Sequence, residues 1–351
     1  MLRRAFALAA LGTAIAAAAA SAAGEVKVVE DFTLTWVGDI AFSSSDGLPA
    51  GGVQGALGPV ESLLRSDFVT GNLEGTLATG GSSKCGSSSG GNCFSFRAPP
   101  SYARGLRRAG FDLMNVANNH ANDYGPTGQA ETSAALRGAG LRYTGRPGQI
   151  TVATINGAHV AFVGFAPYPW ASPLLDIPAA QRLVRAARAR ADLVVVIVHQ
   201  GAEGAGATHV PFGPETAFGE NRGSARAFAH GVIDAGAGLV LGSGPHVIRG
   251  IERYRHRMIA YSLGNFAGPN TLSLGGTLSL SAILRVHLTS DGDVLGGRWV
   301  PLALVSPGEP RYDSGHASVA LVRRLSLEDF HHRFAIDRLG NIARDPAARR
   351  R

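Results

Sequence analysis

The chain has 351 residues, of which 45% are hydrophobic and 17% charged, and its formal net charge is +7. This length and composition are sufficient for one large folded domain and exclude an intrinsically disordered protein. The positive charge suits an anionic partner or surface, although a genome that favours arginine would produce the same charge. Nucleic-acid binding is not predicted, because the basic residues form no stripe interleaved with aromatic side chains.

Residues 1–23 are predicted to be a secretory signal peptide. Arg3 and Arg4 precede an apolar run over residues 5–20, and small side chains follow at 21–23, where cleavage is expected. The apolar run is short for a membrane span, and an uncleaved signal that anchors the protein is the alternative. We therefore expect an exported protein that is periplasmic, associated with the cell envelope or secreted.

Residues 24–340 are predicted to form one domain, followed by a basic flexible tail over residues 341–351. The predicted strands lie at 32–37, 67–70, 111–116, 151–155, 158–165, 193–198, 239–241 and 258–262 and within 277–305. Helices are predicted at 59–66, 100–109, 127–139, 178–190, 224–235 and 317–330, and surface loops at 43–58 and 202–219. Asn156 and Gly157, between two apolar runs, predict a hairpin. Strands that alternate with helices, followed by antiparallel strands, indicate an α/β sandwich.

The two cysteines, Cys85 and Cys93, lie in a Ser- and Gly-rich insertion between residues 75 and 98. In an exported protein a disulfide between them is expected, with free thiols as the alternative. A zinc site is not predicted at this position, because it would need further ligands nearby.

Polar side chains follow five of the predicted strands, at the point where each strand ends. These residues are Asp39, Asn72 with Glu74, Asn119 with His120, His199, and His246. Ligands in α/β sheets gather beyond the carboxyl ends of strands, so we expect the five ends to form one cleft. Carboxylates, amides and imidazoles together suit Zn, Mn or Fe. Taken singly, each residue could instead be a helix cap or a turn residue.

Six segments of the chain resemble those of the bacterial capsule-synthesis CapA family, also called the poly-γ-glutamate biosynthesis family. The segments are WVGDI (36–40), GNLEG (71–75), GFDLMNVANNHANDYG (110–125), VHQGAE (198–203), LVLGSGPHV (239–247) and AYSLGNF (260–266). The family looks like a branch of the calcineurin-like metallophosphoesterases. The resemblance therefore implies a metallophosphoesterase-like αββα sandwich, with two mixed sheets flanked by helices and one or two divalent metal ions at the strand ends.

The resemblance also implies a role for each site residue. The metal ligands would be Asp39, Glu74, Asn119, His199 and His246, with Glu74 in place of a bridging aspartate. His120 would be the acid that protonates a leaving group, and Asp123 would orient His120 or else cap a helix. Residues that contact substrate or support the ligands would be Asn72, Glu203 and Asn265, although each could be purely structural.

Four positions depart from the superfamily pattern. Ala41 stands where a ligand histidine is usual, and Ser243 and Gly244 stand where another histidine is usual. Gln200 replaces a tryptophan that commonly follows the strand-end histidine. A centre with one metal ion, or with none, is therefore an open alternative to a centre with two.

Three functions are compatible with these features. The first is a metal-dependent hydrolase or transferase that acts on an anionic polymer such as poly-γ-glutamate or a cell-wall component. The second is a non-catalytic subunit that binds polymer for a membrane synthase or export complex, and the third is a generic phosphoesterase. Arginines near the motif loops could bind carboxylates in bidentate fashion or could be solvated charges. They are Arg97, Arg222, Arg249, Arg253 and Arg255.

Overall fold

The structure, a computed structural model, describes residues 30–86 and 93–348. The predicted signal peptide and the last three residues of the predicted tail lie outside the described residues. The strands are β1 (Phe32–Ile40), β2 (Phe68–Leu73), β3 (Thr76–Leu77), β4 (Arg97–Ala98), β5 (Leu113–Asn115), β6 (Arg142–Thr144), β7 (Thr151–Ile155), β8 (Ala158–Ala166), β9 (Ser172–Pro173), β10 (Leu193–His199), β11 (Glu215–Ala217), β12 (Glu220–Gly223), β13 (Leu239–Ser243), β14 (Ile251–Tyr254), β15 (Arg257–Ala260), β16 (Asn265–Ala267), β17 (Leu280–Leu288), β18 (Val294–Val305), β19 (Glu309–Tyr312) and β20 (Asn341–Ile342). The helices are α1 (Gly52–Glu61), α2 (Tyr102–Arg108), α3 (Gly125–Gly138), α4 (Ile177–Arg188), α5 (Ala225–Asp234) and α6 (Ala317–Asp329).

The larger strands form two mixed sheets. The first has the order β19-β18-β17-β1-β2-β5-β6, and the second has the order β14-β15-β13-β10-β8-β7. In the first sheet β1, β2, β5 and β6 are parallel, whereas β17, β18 and β19 are antiparallel. In the second sheet β8, β10, β13 and β15 are parallel, and β7 and β14 are antiparallel edge strands. The parallel strands of each sheet end at one edge, where the predicted site residues lie.

Three apolar clusters show how the layers stack. One lies between the sheets, where Trp36 of β1 and Ile197 of β10 are buried together with residues of α6. A second covers the outer face of the first sheet under α1, α2 and α3, and includes Leu57. A third, with Val184 and Phe228, covers the outer face of the second sheet under α4 and α5. The predicted αββα sandwich of two mixed sheets flanked by helices is therefore confirmed.

Two of the local predictions are also confirmed. Asn156 and Gly157, both with positive φ, join the antiparallel strands β7 and β8 in a tight hairpin. Cys85 and Cys93 form the expected disulfide, which closes the insertion that follows β3. In the part of the chain that the structure describes, we find no helix with the length and apolar character needed to cross a membrane.

The predicted helix at 59–66 is misplaced, because α1 spans Gly52–Glu61 and therefore occupies part of the predicted loop at 43–58. Its buried side chains are Val53, Ala56, Leu57 and Val60, and this spacing places them on one helical face. The glycines around them favoured a loop, but burial against the first sheet outweighs the low helix propensity of glycine.

Part of the predicted tail is packed against the domain. Asn341 and Ile342 form β20, which pairs with β18. Asp345 is 1% exposed and accepts two hydrogen bonds from Arg253, at 2.6 and 2.8 Å. The sandwich thus includes described residues beyond position 340.

Candidate metal centre and cleft

A bulge in β1 turns Asp39 toward the second sheet. The pairing of β1 with β2 advances from Val37–Gly71 to Asp39–Asn72, so that Gly38 is the extra residue. Bulges of this kind bend a strand and change the direction of the side chains that follow. An added Cβ at Gly38 would lie 1.9 Å from the carbonyl oxygen of Gly264, so only glycine fits at this position.

We expect Gly38→Ala to lower the free energy of unfolding by about 3 kcal/mol, because the new methyl group would overlap backbone that cannot rotate away. The substitution should also displace Asp39 and weaken binding of any divalent ion. Urea unfolding measures the first effect. Gly213→Ala is the control, since a Cβ at Gly213 meets no atom within 4 Å. Equal stability of the two variants would contradict the role of the bulge.

Four ionisable side chains meet where the two sheets approach each other. In the first sheet Asp39 lies near the end of β1 and Glu74 directly follows β2. In the second sheet His199 is the last residue of β10 and His246 follows β13. Asp39 Oδ1 lies 3.6 Å from His199 Nδ1, and Asp39 Oδ2 lies 3.3 Å from His246 Nδ1. Glu74 Oε1 lies 3.9 Å from His199 Nε2 and 3.6 Å from His246 Nε2. The predicted convergence of these strand ends is thus observed.

The donor atoms of this cluster suit a divalent metal ion. One possible ligand atom each from Asp39, Glu74 and His246 lies within 4.8 Å of the others. Among the described residues, neither carboxylate oxygen of Glu74 has a hydrogen-bond partner, and neither does Nε2 of His199. Buried polar atoms are almost always satisfied, and a bound ion is one established reason for exceptions. The carboxylate and imidazole set is compatible with Zn, Mn or Fe.

The charges in the cluster perturb one another strongly. Burial raises the pKa of Glu74 well above its usual value, and the nearby charges of Asp39 and Glu203 add to the increase. For Asp39, burial opposes ionisation, but hydrogen bonds and charge from His199 and His246 lower the pKa overall. Burial alone would lower the pKa of His246, yet Glu74 and Asp39 outweigh it and raise the pKa to about 10. The site therefore attracts a cation, which a proton on His246 supplies when no metal ion is bound.

Amide side chains hold the ionisable groups in position. Asn72 Nδ2 donates to Asp39 Oδ1 at 2.8 Å, and Asn72 Oδ1 accepts from Asn115 and Asn118 at 2.8 and 3.2 Å. Nδ1 of His246 lies 2.9 Å from Asn265 Oδ1. Since an amide oxygen can only accept, Nδ1 carries the proton of that bond, and Nε2 faces the carboxylates of Glu74 and Glu203. Asn72 and Asn265 thus hold Asp39 and His246 in position.

His120 and Asp123 form a second buried unit beside the cluster. His120 Nδ1 lies 2.7 Å from Asp123 Oδ2, and His120 Nε2 lies 3.9 Å from Glu74 Oε1. Asp123 also accepts from the backbone N–H of Phe96 at 2.6 Å and pairs with Lys84 at 2.7 Å. The Phe96 ring stacks on the His120 ring at a centroid distance of 3.9 Å. Burial lowers the pKa of His120, and Asp123 opposes this change.

Two of the positions that depart from the superfamily pattern, Ser243 and Gly244, contact ionisable residues of the cluster. The backbone N–H of Gly244 donates to Asp39 Oδ2 at 3.3 Å, and an added Cβ at Gly244 would lie 2.8 Å from the backbone nitrogen of Gln200. Ser243 Oγ lies 3.2 Å from His199 Nδ1. Ala41 is fully buried. A histidine would not fit at position 244 without movement of the backbone.

A cleft of about 640 Å³ opens above the cluster. Asn119, His120, Glu203, His246 and Asn265 line it, and Asn119 Oδ1 has no hydrogen-bond partner among the described residues. Glu203 Oε2 lies 3.7 Å from His246 Nε2. All ten predicted site residues therefore belong to the cluster, to its supporting contacts or to the cleft wall. Their individual roles remain predictions.

Several residues around the site were not identified from the sequence as site residues. They include Asn115, Asn118, Lys84, Phe96, Tyr168, Trp170 and Phe218. Two of the arginines predicted near the loops, Arg222 and Arg249, are only 2% and 1% exposed, so they are not solvated charges. Arg222 pairs with Glu203 at 2.7 Å, whereas Arg249 pairs with Glu215. Asn115 is a polar residue inside an otherwise apolar run, and Asn118 follows that run directly. This pattern could have indicated the amide network.

The fold and the site together define an α/β sandwich with a candidate metal centre at the ends of its parallel strands. The sequence model of a family described as bacterial capsule synthesis protein PGA_cap matches residues 33–270, which is more than half of the chain. The chain therefore belongs to this family, and the resemblance inferred from the six segments is confirmed.

Two capsule-synthesis proteins are similar to this chain over part of their length. The capsule biosynthesis protein CapA of Bacillus anthracis is 29% identical over 292 residues, covering 76% of this chain and 66% of the relative. The PGA biosynthesis protein CapA of Bacillus subtilis is 28% identical over 256 residues, covering 66% of this chain and 61% of the relative. The chain thus spans less than two thirds of the length of these relatives. A 5'-nucleotidase precursor from Thermus thermophilus is a similar solved structure, with 16% identity and a TM-score of 0.44 over 84% of this chain and 59% of its own.

Proposed function

We propose that the protein is an exported, metal-dependent hydrolase or transferase that acts in the synthesis or processing of a capsule or envelope polymer, such as poly-γ-glutamate. Membership of the capsule-synthesis family supports the polymer and the envelope as its context. The observation that carries the proposal is the convergence of Asp39, Glu74 and His246, with both oxygens of Glu74 lacking a hydrogen bond among the described residues. Membrane-bound synthase or export subunits are the partners expected in this context.

The residues of the site divide the work between ion binding and proton transfer. Asp39, Glu74 and His246 would hold the ion, with His199 and Asn119 as further ligands. When bound, a divalent ion supplies Lewis acidity, which polarises the substrate and makes water a better nucleophile. Neutral His120 donates its Nδ1–H to Asp123, so its Nε2 is free to accept a proton and to return it to a leaving group. Asp123 keeps the imidazole in this orientation.

The test compares turnover of poly-γ-glutamate and of model phosphodiesters by the full chain, with added Mn²⁺ and with EDTA. His120→Gln should lower turnover by roughly 10²- to 10⁴-fold, as expected for loss of an acid–base group, while metal content stays unchanged. His316→Gln, in which a half-buried histidine that does not line the cleft is replaced, should behave as wild type. The proposal fails if the protein holds no stoichiometric metal and if Asp39→Ala and His120→Ala leave every activity unchanged.

A non-catalytic polymer-binding subunit is the second candidate. It is favoured by Gly244, where the crowded backbone excludes a further histidine ligand, and by Ala41. This alternative predicts that polymer binding persists in EDTA and that no substrate is turned over. Loss of polymer binding on chelation would count against it.

A further inference from the structure

The outer wall of the cleft is largely aromatic. Phe94, next to the disulfide, is 56% exposed, and Phe218, in the turn between β11 and β12, is 75% exposed. Tyr168 and Trp170, in the segment after β8, stack at a centroid distance of 4.9 Å with an interplanar angle of 8°. All four rings line the cleft. Large exposed aromatic rings that border one cavity are typical of a binding surface rather than of an ordinary protein surface.

Two of these rings are held rigidly. The indole Nε1 of Trp170 donates to the carbonyl oxygen of Asn118 at 2.9 Å, which fixes the plane of the ring beside the ion-binding residues. The Tyr168 hydroxyl donates to Glu220 at 2.7 Å, and the guanidinium of Arg222 lies 5.8 Å from the Tyr168 ring centroid. The stacked pair therefore forms a preorganised flat face, so that little side-chain entropy is lost when a ligand binds.

Phe218 occupies an unusual backbone position. Phe218 and Gly219 are the two turn residues of the β11–β12 hairpin, with φ values of 51° and 78°. Turns with two positive φ values strongly favour asparagine and glycine. A bulky residue in the left-handed region is uncommon, and such conformations cluster at ligand-binding sites. The hairpin thus displays an aromatic ring at the cleft mouth where a small or polar residue would form the turn more easily.

Among the described residues that line the cleft, no lysine or arginine side chain is free to contact a polyanion. The described lining residues include one lysine, Lys84, and one arginine, Arg222. Each already forms an ion pair with a carboxylate. Lys84 pairs with Asp123 at 2.7 Å, and Arg222 pairs with Glu203 at 2.7 Å and with Glu220 at 3.1 Å. A chain that carries a carboxylate on every unit would find few partners there and would meet the charges of Glu203 and Glu220.

We infer that the aromatic wall of the cleft binds a glycan, with the C–H faces of neutral sugar rings stacked on Trp170 and Phe218. Paired planar polar groups, Glu203 with Arg222, lie beside the rings and suit the hydroxyl groups of a sugar. The inference rests on the proposed function and specifies its substrate class, which is a sugar-containing envelope polymer rather than a bare polyglutamate chain. The metal centre would then act on a bond next to the stacked sugar.

Tryptophan fluorescence tests this inference directly. The chain has three tryptophans, of which Trp36 and Trp299 are fully buried, so a ligand-induced change reports on Trp170. The full chain is titrated in EDTA with neutral hexasaccharides of glucose, mannose and N-acetylglucosamine, and with a γ-linked glutamate hexamer. We expect a saturable change with at least one sugar and none with the glutamate hexamer.

Phe218→Asn is the decisive variant, because asparagine suits the turn and removes only the ring. Its thermal stability should equal or exceed that of the wild type, while sugar affinity falls roughly tenfold, the size of one lost aromatic contact. Tyr312→Ala removes an aromatic residue that is 47% exposed and does not line the cleft, and should leave affinity unchanged. Tighter binding of the glutamate hexamer, no response to any sugar, or an unaltered Phe218→Asn variant would overturn the inference. Because EDTA is present throughout, these outcomes are independent of whether the metal-dependent reaction occurs.

Discussion

Glu74→Gln is expected to reduce the affinity for Mn²⁺ at least about 100-fold, because it would remove a proposed charged ligand, whereas loss of a supporting residue alone costs 10- to 100-fold. The side chain keeps its size, so the surrounding packing should remain intact. Glu74 is fully buried, and neither of its oxygens accepts a hydrogen bond from the described residues. Replacing a buried carboxylate of this kind with a neutral amide should therefore leave the metal-free protein as stable as the wild type or more stable.

Calorimetric titration with Mn²⁺ and thermal unfolding together measure this prediction. Saturation at 100 times the Kd should stabilise the wild type by about 2.7 kcal/mol, and the same Mn²⁺ concentration should barely affect Glu74→Gln. The matched control is Glu252→Gln. Glu252 is also buried and lies 3.0 Å from a histidine, His230, but it does not line the cleft. Glu252→Gln should bind Mn²⁺ as the wild type does. Equal affinity of Glu74→Gln and wild type would show that Glu74 is not a ligand.

The sequence was sufficient to predict that Asp39, Glu74, His199 and His246 meet, because strand ends are marked by local patterns. The run of apolar residues that ends at His199 predicts a buried strand, and the observed β10 ends at that residue. Parallel strands in one sheet end at the same edge, so residues such as Asp39 and Glu74 are brought together by topology alone. Prediction succeeded where one short segment contains both the strand and the functional residue.

Features that depend on contacts between distant segments could not be predicted in the same way. The burial of Arg249 depends on Glu215, 34 residues away, and the sequence around either residue resembles a surface loop. The predicted loop at 202–219 contains β11, whose pairing with β12 displays Phe218 at the cleft. The position of helix α1 was predicted wrongly because its glycines indicated a loop. Its regular apolar face forms a helix because that face packs against the first sheet.

The residues of the candidate centre come from both sheets. Asp39 and Glu74 belong to the first sheet and His246 to the second, and the indole of Trp36 donates to Gly242 of the opposite sheet at 3.3 Å. Binding of an ion at this position would therefore stabilise the contact between the sheets. The cleft wall, by contrast, is built on loops, and its geometry depends on the ion pairs that anchor those loops.

Arg249→Met is expected to lower the free energy of unfolding by about 3–5 kcal/mol, because it leaves the carboxylate of Glu215 buried without its charged partner. The guanidinium of Arg249 donates to both oxygens of Glu215, at 2.5 and 3.0 Å, and to the carbonyl oxygen of Ala207 at 2.8 Å. Glu215 begins the hairpin that carries Phe218, so the ion pair fixes the cleft wall to the body of the domain. We therefore expect the variant to weaken sugar binding as well as stability.

Urea unfolding of a double-mutant cycle measures the contribution of the pair. Arg249→Met combined with Glu215→Gln should recover at least half of the lost stability, since no unpaired charge remains buried. Arg255→Met is the control, because Arg255 pairs with Asp234 at the surface with its side chain 66% exposed, and its loss should cost less than about 1 kcal/mol. If Arg249→Met were as mild as Arg255→Met, the pair would not anchor the hairpin, and the position of Phe218 would have to depend on the turn alone.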